Sequence, residues 1–68
     1  MKVTIINRPA KEKEKAFVEC VNVTRLPEIG DTFVHFKLNG EFKVVDRFFS
    51  FDEMGDVDTI EIYVIRNN

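Results

Sequence analysis

The dipeptide Asn39-Gly40, set between two apolar runs, is the strongest hairpin signal in the chain. Before it stands Thr32-Phe33-Val34-His35-Phe36-Lys37-Leu38, and after it Glu41-Phe42-Lys43-Val44-Val45-Asp46-Arg47-Phe48-Phe49-Ser50-Phe51. A two-residue loop would set Phe36 across from Lys43 and Phe42 across from Lys37, so that each apolar set meets a charged one. A three-residue loop, Leu38-Asn39-Gly40, with Gly40 left-handed in a bulge, predicts Phe36 opposite Phe42 and Val34 opposite Val44. On that register Val34, Phe36 and Leu38 face a core, while Phe33, His35 and Lys37 face out.

The segment ahead of this hairpin, Leu26-Pro27-Glu28-Ile29-Gly30-Asp31, is a turn. Pro27 biases Leu26 toward an extended backbone, and Gly30 supplies a position that can take positive φ. Residues 2–7 predict a first strand, Val3 and Ile5 on one face and Thr4 and Ile6 on the other, and its pairing would tie down the terminus. Pro9 interrupts pairing. Residues 11–15 then alternate in sign and are too few for a surviving helix, which predicts a solvated hairpin tip. Residues 16–24 predict a second strand in which Phe17, Val21 and Val23 share one parity and Val18 and Cys20 the other. That pattern implies partial cover on both faces or a bulge near Glu19, with Cys20 as a small buried filler.

Residues 41–51 are apolar on both parities, as expected of a strand that bends and contributes to two sheets, so that its inward face changes along its length. The competing reading puts Val45 and Phe49 with Phe33, Tyr63 and Ile65 in an outward apolar patch. Residues 52–58 hold four carboxylates without the ligand ladder of a calcium loop and predict a solvated turn. Residues 59–66 predict a last strand with Ile60, Ile62 and Val64 inward and Glu61, Tyr63 and Ile65 outward.

With 68 residues there is room for one domain, and a fold of this size buries only about 60% of its unfolded surface. One cysteine and one histidine exclude an internal disulfide and a single-chain zinc site of cysteine and histidine ligands, and no metal or cofactor is expected. No run is apolar and long enough for a membrane span, residues 1–7 are too short for a signal sequence, and a cytoplasmic location is expected. The net charge of −2 argues against phosphate-driven nucleic-acid binding. The charge is uneven: six Lys/Arg against three Asp/Glu up to Arg25, and four against nine beyond it.

Five strands and no helix predict an all-β, five-stranded antiparallel barrel over residues 1–68, closure being the economical way to remove sheet edges. The Leu26 to Asp31 turn, the Glu41-Phe42-Lys43-Val44-Val45-Asp46-Arg47 run and the terminal β-branched strand resemble the short SH3-like barrels of bacteria and their phages. The resemblance covers about the last two thirds of the chain and implies partner binding through an aromatic groove or the loop between the first two strands.

The residues then favour a non-catalytic adaptor or inhibitor module. Phe33, Val45, Arg47, Phe49 and Tyr63 would present an outer face to a protein partner or to a second copy in a homodimer. Arg8, Lys11, Lys13 and Lys15 would form an anion-binding loop. A nucleic-acid barrel is the alternative, with those four residues plus Lys43 and Arg47 as a cationic track. No catalytic residues are expected: no nucleophile and base have recognisable spacing, His35 has no ligand-spaced companion, and Asp46 is the one carboxylate on an apolar face, expected to pair with a base or to turn outward at a bulge.

Overall fold

The computed structural model describes residues 1–8 and 16–67. Five strands form one sheet: β1 (Lys2–Asn7), β2 (Phe17–Asn22), β3 (Thr32–Val34), β4 (Glu41–Phe51) and β5 (Val57–Arg66). Their order is β2-β1-β5-β4-β3, and no helix occurs among the described residues. The all-β expectation holds, but the antiparallel barrel is corrected. β1 and β5 run parallel while the other pairs are antiparallel, and the sheet curls into a half-barrel with β2 and β3 as its edges. A parallel pair cannot be joined by a tight turn; here β2, β3 and β4 lie between its two members in the chain.

The concave face holds the core. Val3 and Ile5 of β1, Val21 of β2, Phe42 and Val44 of β4, and Ile62 and Val64 of β5 are each no more than 2% exposed. These residues alternate along their strands and match across the ladders: Val3 with Val21, Ile5 with Ile62, Val44 with Val64. Phe42 is the hub, meeting Phe17 edge to face at 5.5 Å and Phe33 at 6.1 Å. Burying such a side chain contributes roughly 2–3 kcal/mol. Met1 joins the sheet by exchanging hydrogen bonds with Val23, its ammonium donating to the Val23 carbonyl at 2.7 Å.

The register of β3 on β4 differs from the expected one. Phe33 pairs with Phe42 and Val34 with Glu41, so Phe33 turns inward while Val34 is 73% and Phe36 90% exposed. The cause lies upstream of the strand. Gly30, at φ 96°, donates its amide to the Val44 carbonyl, and Val44 donates back to the Asp31 carbonyl. The Asp31 carboxylate holds this turn closed by accepting from the Glu28 amide at 2.9 Å. The Leu26 to Asp31 turn therefore clamps onto β4 and sets the alignment, and residues 35–40 take up the slack as a longer loop. Gly40 does adopt positive φ, 123°, and a Cβ there would collide with the Arg66 guanidinium.

Two further expectations are corrected or refined. β2 pairs with β1 without a register shift, so neither a bulge at Glu19 nor cover on both faces exists; Cys20 lies opposite Thr4 on the convex face and is exposed, not a buried filler. β4 does not contribute to two sheets: it stays in the one sheet and bulges at Val45, between the pairs Val44 with Val64 and Asp46 with Tyr63. Beyond that point the inward parity switches, which carries Asp46 to the convex face and brings Arg47 and Phe49 inward opposite Ile62 and Ile60.

Candidate interaction surface

β4 and β5 are longer than the rest of the sheet. β3 covers β4 at Thr32 to Val34 and β1 covers β5 from Glu61 to Val64, so among the described residues the far halves of β4 and β5 pair only with each other. The molecule is accordingly elongated, 42 × 22 × 20 Å. This two-stranded arm is closed by a turn in which the Asp52 carboxylate accepts from the amides of Met54 (2.9 Å) and Asp56 (3.0 Å), with Gly55 at φ 83°. The acidic residues of 52–58 thus form the expected turn, and among the described residues no cluster of three His, Cys, Asp or Glu is placed to hold a metal ion.

The arm is apolar on the side that continues the concave face. Phe49 pairs with Ile60 and, past a second shift that skips Asp58, Phe51 pairs with Val57. Phe51 is 62% and Val57 51% exposed, Phe48 on the opposite side is half exposed, and Met54 caps the tip. An isolated two-stranded ribbon is marginal in water, and aromatic residues held out on one form an adhesive surface.

A second concavity marks where the half-barrel fails to close. It is an open groove of about 470 Å³ between β2 and the 26–35 segment, floored by Ile5, Val21, Val23, Leu26 and Phe33. His35 bridges its end, with Nε2 3.2 Å from the Asn22 carbonyl and Nδ1 accepting from the Lys37 amide at 3.2 Å. An amide donor at Nδ1 leaves the proton on Nε2, so His35 donates across the seam. Its ring stacks on Phe36 at 4.9 Å and is half-buried in the loop just past the end of β3, where the sequence had placed an outward strand residue.

The five residues expected on one outer face are divided by the bulge. Phe33, Arg47 and Phe49 lie on the concave side, Tyr63 lies on the convex side, and Val45 is the extra residue between. Arg47 reaches the Pro27 carbonyl at 3.4 Å and sits 5.6 Å over the Phe49 ring, and its Nε is buried with no hydrogen-bond partner among the described residues. Tyr63 lies under the Arg8 guanidinium at 4.2 Å and donates its hydroxyl to Glu61 Oε1 at 2.9 Å. That hydrogen bond, with desolvation and the Glu61 charge, raises the Tyr63 hydroxyl above its ordinary pKa, and Arg8 opposes the shift.

Of the expected anion-binding loop, Arg8 is placed as described, while Lys11, Lys13 and Lys15 lie outside the described residues. Lys43 and Arg47 of the alternative cationic track fall on opposite faces of β4. Sequence reasoning missed Phe51, Val57 and Met54, because residues 52–58 read as solvent-exposed turn and the pairing of Phe51 with Val57 depends on the skip at Asp58. No helix of the described chain is long and apolar enough to cross a membrane. Neither a family model, nor a curated protein, nor a solved structure matches the chain.

Proposed function

We propose that the chain is a small non-catalytic protein-interaction module, an adaptor or inhibitor of the SH3-like kind acting in the cytoplasm. Its contact surface is the apolar side of the β4–β5 arm, rooted at Arg47 and Phe49. The observation that carries this reading is the exposure of Phe51 and Val57, opposite each other on a ribbon that no other strand of the described residues covers. Aromatic residues with an adjacent arginine dominate the energetics of protein contacts. A body that keeps its own core on the remaining strands can hold such an arm in place without using the arm's apolar side.

The test is affinity capture from cells of the native host with the wild-type chain and with Phe51→Ser/Val57→Ser, folding being checked by circular dichroism. The reading expects a protein, or a second copy, that the wild type retains and the folded variant releases. Equal retention by the two chains, or retention of nothing by either, overturns it.

A further inference from the structure

We infer that the partner of the arm is a protein whose contact surface is apolar at its centre and basic at its rim. The inference rests on the interaction reading above and names the chemistry of the occupant. The run from Phe48 to Ile65, which contains the whole arm, holds Asp52, Glu53, Asp56, Asp58 and Glu61 without one Lys, Arg or His. Glu61 lies on the convex side with Tyr63, and the other four are exposed at or beside the tip. The Asp52 carboxylate closes the turn, whereas those of Glu53, Asp56 and Asp58 have no hydrogen-bond or salt-bridge partner among the described residues. Nothing basic at the root offsets them on the apolar side. Arg25 shares the groove wall with Glu28 and Asp31, Arg47 is bonded to Pro27 of the same turn, and Lys2 lies on the convex face.

The carboxylates stand where docking would take them out of water. Val57 lies between Asp56 and Asp58, and Phe51 precedes Asp52, so each exposed apolar side chain has a charge one residue away, about 3.8 Å along the backbone. A pocket that receives Phe51 and Val57 brings its rim against those charges. Desolvating a carboxylate with no counter-charge is costly, and an acidic rim adds repulsion to that cost. Lysine and arginine at the rim remove both penalties and steer the encounter from a distance. The apolar centre is selected by the same two side chains, since an aromatic ring seated in a closed pocket is the usual anchor of a protein contact. A wholly apolar surface would leave the charges uncompensated, a nucleic acid would be repelled, and the described surface of this chain offers no basic rim to a second copy.

Titration with synthetic peptides, followed by the nuclear magnetic resonance signals of Phe51 and Val57, tests the inference. The probes are a short amphipathic peptide of leucine and lysine, the same peptide with glutamate for lysine, and oligolysine without leucine. The leucine-lysine peptide should bind and move both signals, and the other two should bind more weakly by about tenfold or more. Glu53→Gln/Asp56→Asn/Asp58→Asn, which keeps Asp52 and the turn, should weaken that binding by about tenfold, as should ionic strength of about 1 M, where the Debye length is about 3 Å. Equal binding of the leucine-lysine and leucine-glutamate peptides, binding unmoved by the triple substitution, or binding of none of the three overturns the basic partner. Capture from host cells, repeated with the triple variant, separates this failure from that of the interaction reading. A host protein, or a second copy, held equally by wild type and triple variant but released by Phe51→Ser/Val57→Ser overturns the basic rim and leaves the interaction reading standing. Retention of nothing by the wild type overturns both.

Discussion

β4 and β5 run from the body of the molecule into the arm, and the same two strands behave differently in each. In the body, Phe42 and Val44 face Arg66 and Val64 across the ladder, and the four apolar side chains Phe42, Val44, Ile62 and Val64 are fully buried because β1, β2 and β3 curl around them. In the arm, Phe51 and Val57 pair with each other and keep half or more of their surface in solvent. The ladder is alike in both places; what differs is the number of neighbouring strands. Burial of apolar surface drives folding, so the body supplies the stability of this chain, and the arm is a passenger on it with its adhesive side free.

The largest expected effect is in the body. Phe42→Ala removes the hub of the core and should cost about 3–5 kcal/mol, a large part of the 5–15 kcal/mol typical of a whole domain, so chemical denaturation should find the variant largely unfolded. A stability close to wild type would mean that the core is not where the buried residues place it. Next comes Gly40→Ala, which forces an L side chain into positive φ against the Arg66 guanidinium. A loss of roughly 1–3 kcal/mol is expected from urea midpoints, and a neutral result would show that the 35–40 loop adapts freely.

Removing the arm separates the two regions most directly. Joining Phe49 to Ile60 through Asn-Gly, a two-residue hairpin turn, should leave the body folded with a stability change of about 1 kcal/mol or less and abolish retention of the partner. Unfolding of the trimmed chain would make the arm part of the stabilising core. The smallest effect concerns Tyr63 on the convex face. Its absorbance titration should have a midpoint above 10, and Glu61→Gln should lower that midpoint, because the hydrogen bond to Glu61 is the leading cause of the shift. A folded pKa above the unfolded one means that this contribution is complete below pH 10 and fades as pH rises through the folded value. A midpoint unmoved by Glu61→Gln would remove that hydrogen bond as the cause.

Much of the fold was legible in the chain. Residues 2–7, 41–51 and 59–66 read as strands by alternation and β-branching, and strands run over 2–7, 41–51 and 57–66 with Val3, Ile5, Ile62 and Val64 inward. The change of inward face along β4 was also legible, since apolar residues on both parities with a lone Asp46 cannot all be accommodated by a straight strand, but its cause is a bulge within one sheet and not a second sheet. The register of β3 was not. Phe33 and Phe36 are an odd number of positions apart, so alternation offers each as the partner of Phe42, and the choice fell to two backbone hydrogen bonds between residues 30–31 and Val44.

The candidate site shows the same division. Arg47 and Phe49 could be named from residue type, but their face could not, because one extra residue at Val45 reverses the side of everything after it. Alternation and turn chemistry are local, and through them the chain alone determined that it is all-β, where most strands run, and that Gly30 and Gly40 take positive φ. Strand order, the parallel pairing of β1 with β5, and the division between a covered body and a bare arm depend on which distant segments meet. Only the tertiary structure decides those, because the free energy of burial belongs to the assembled face and to no single stretch of sequence.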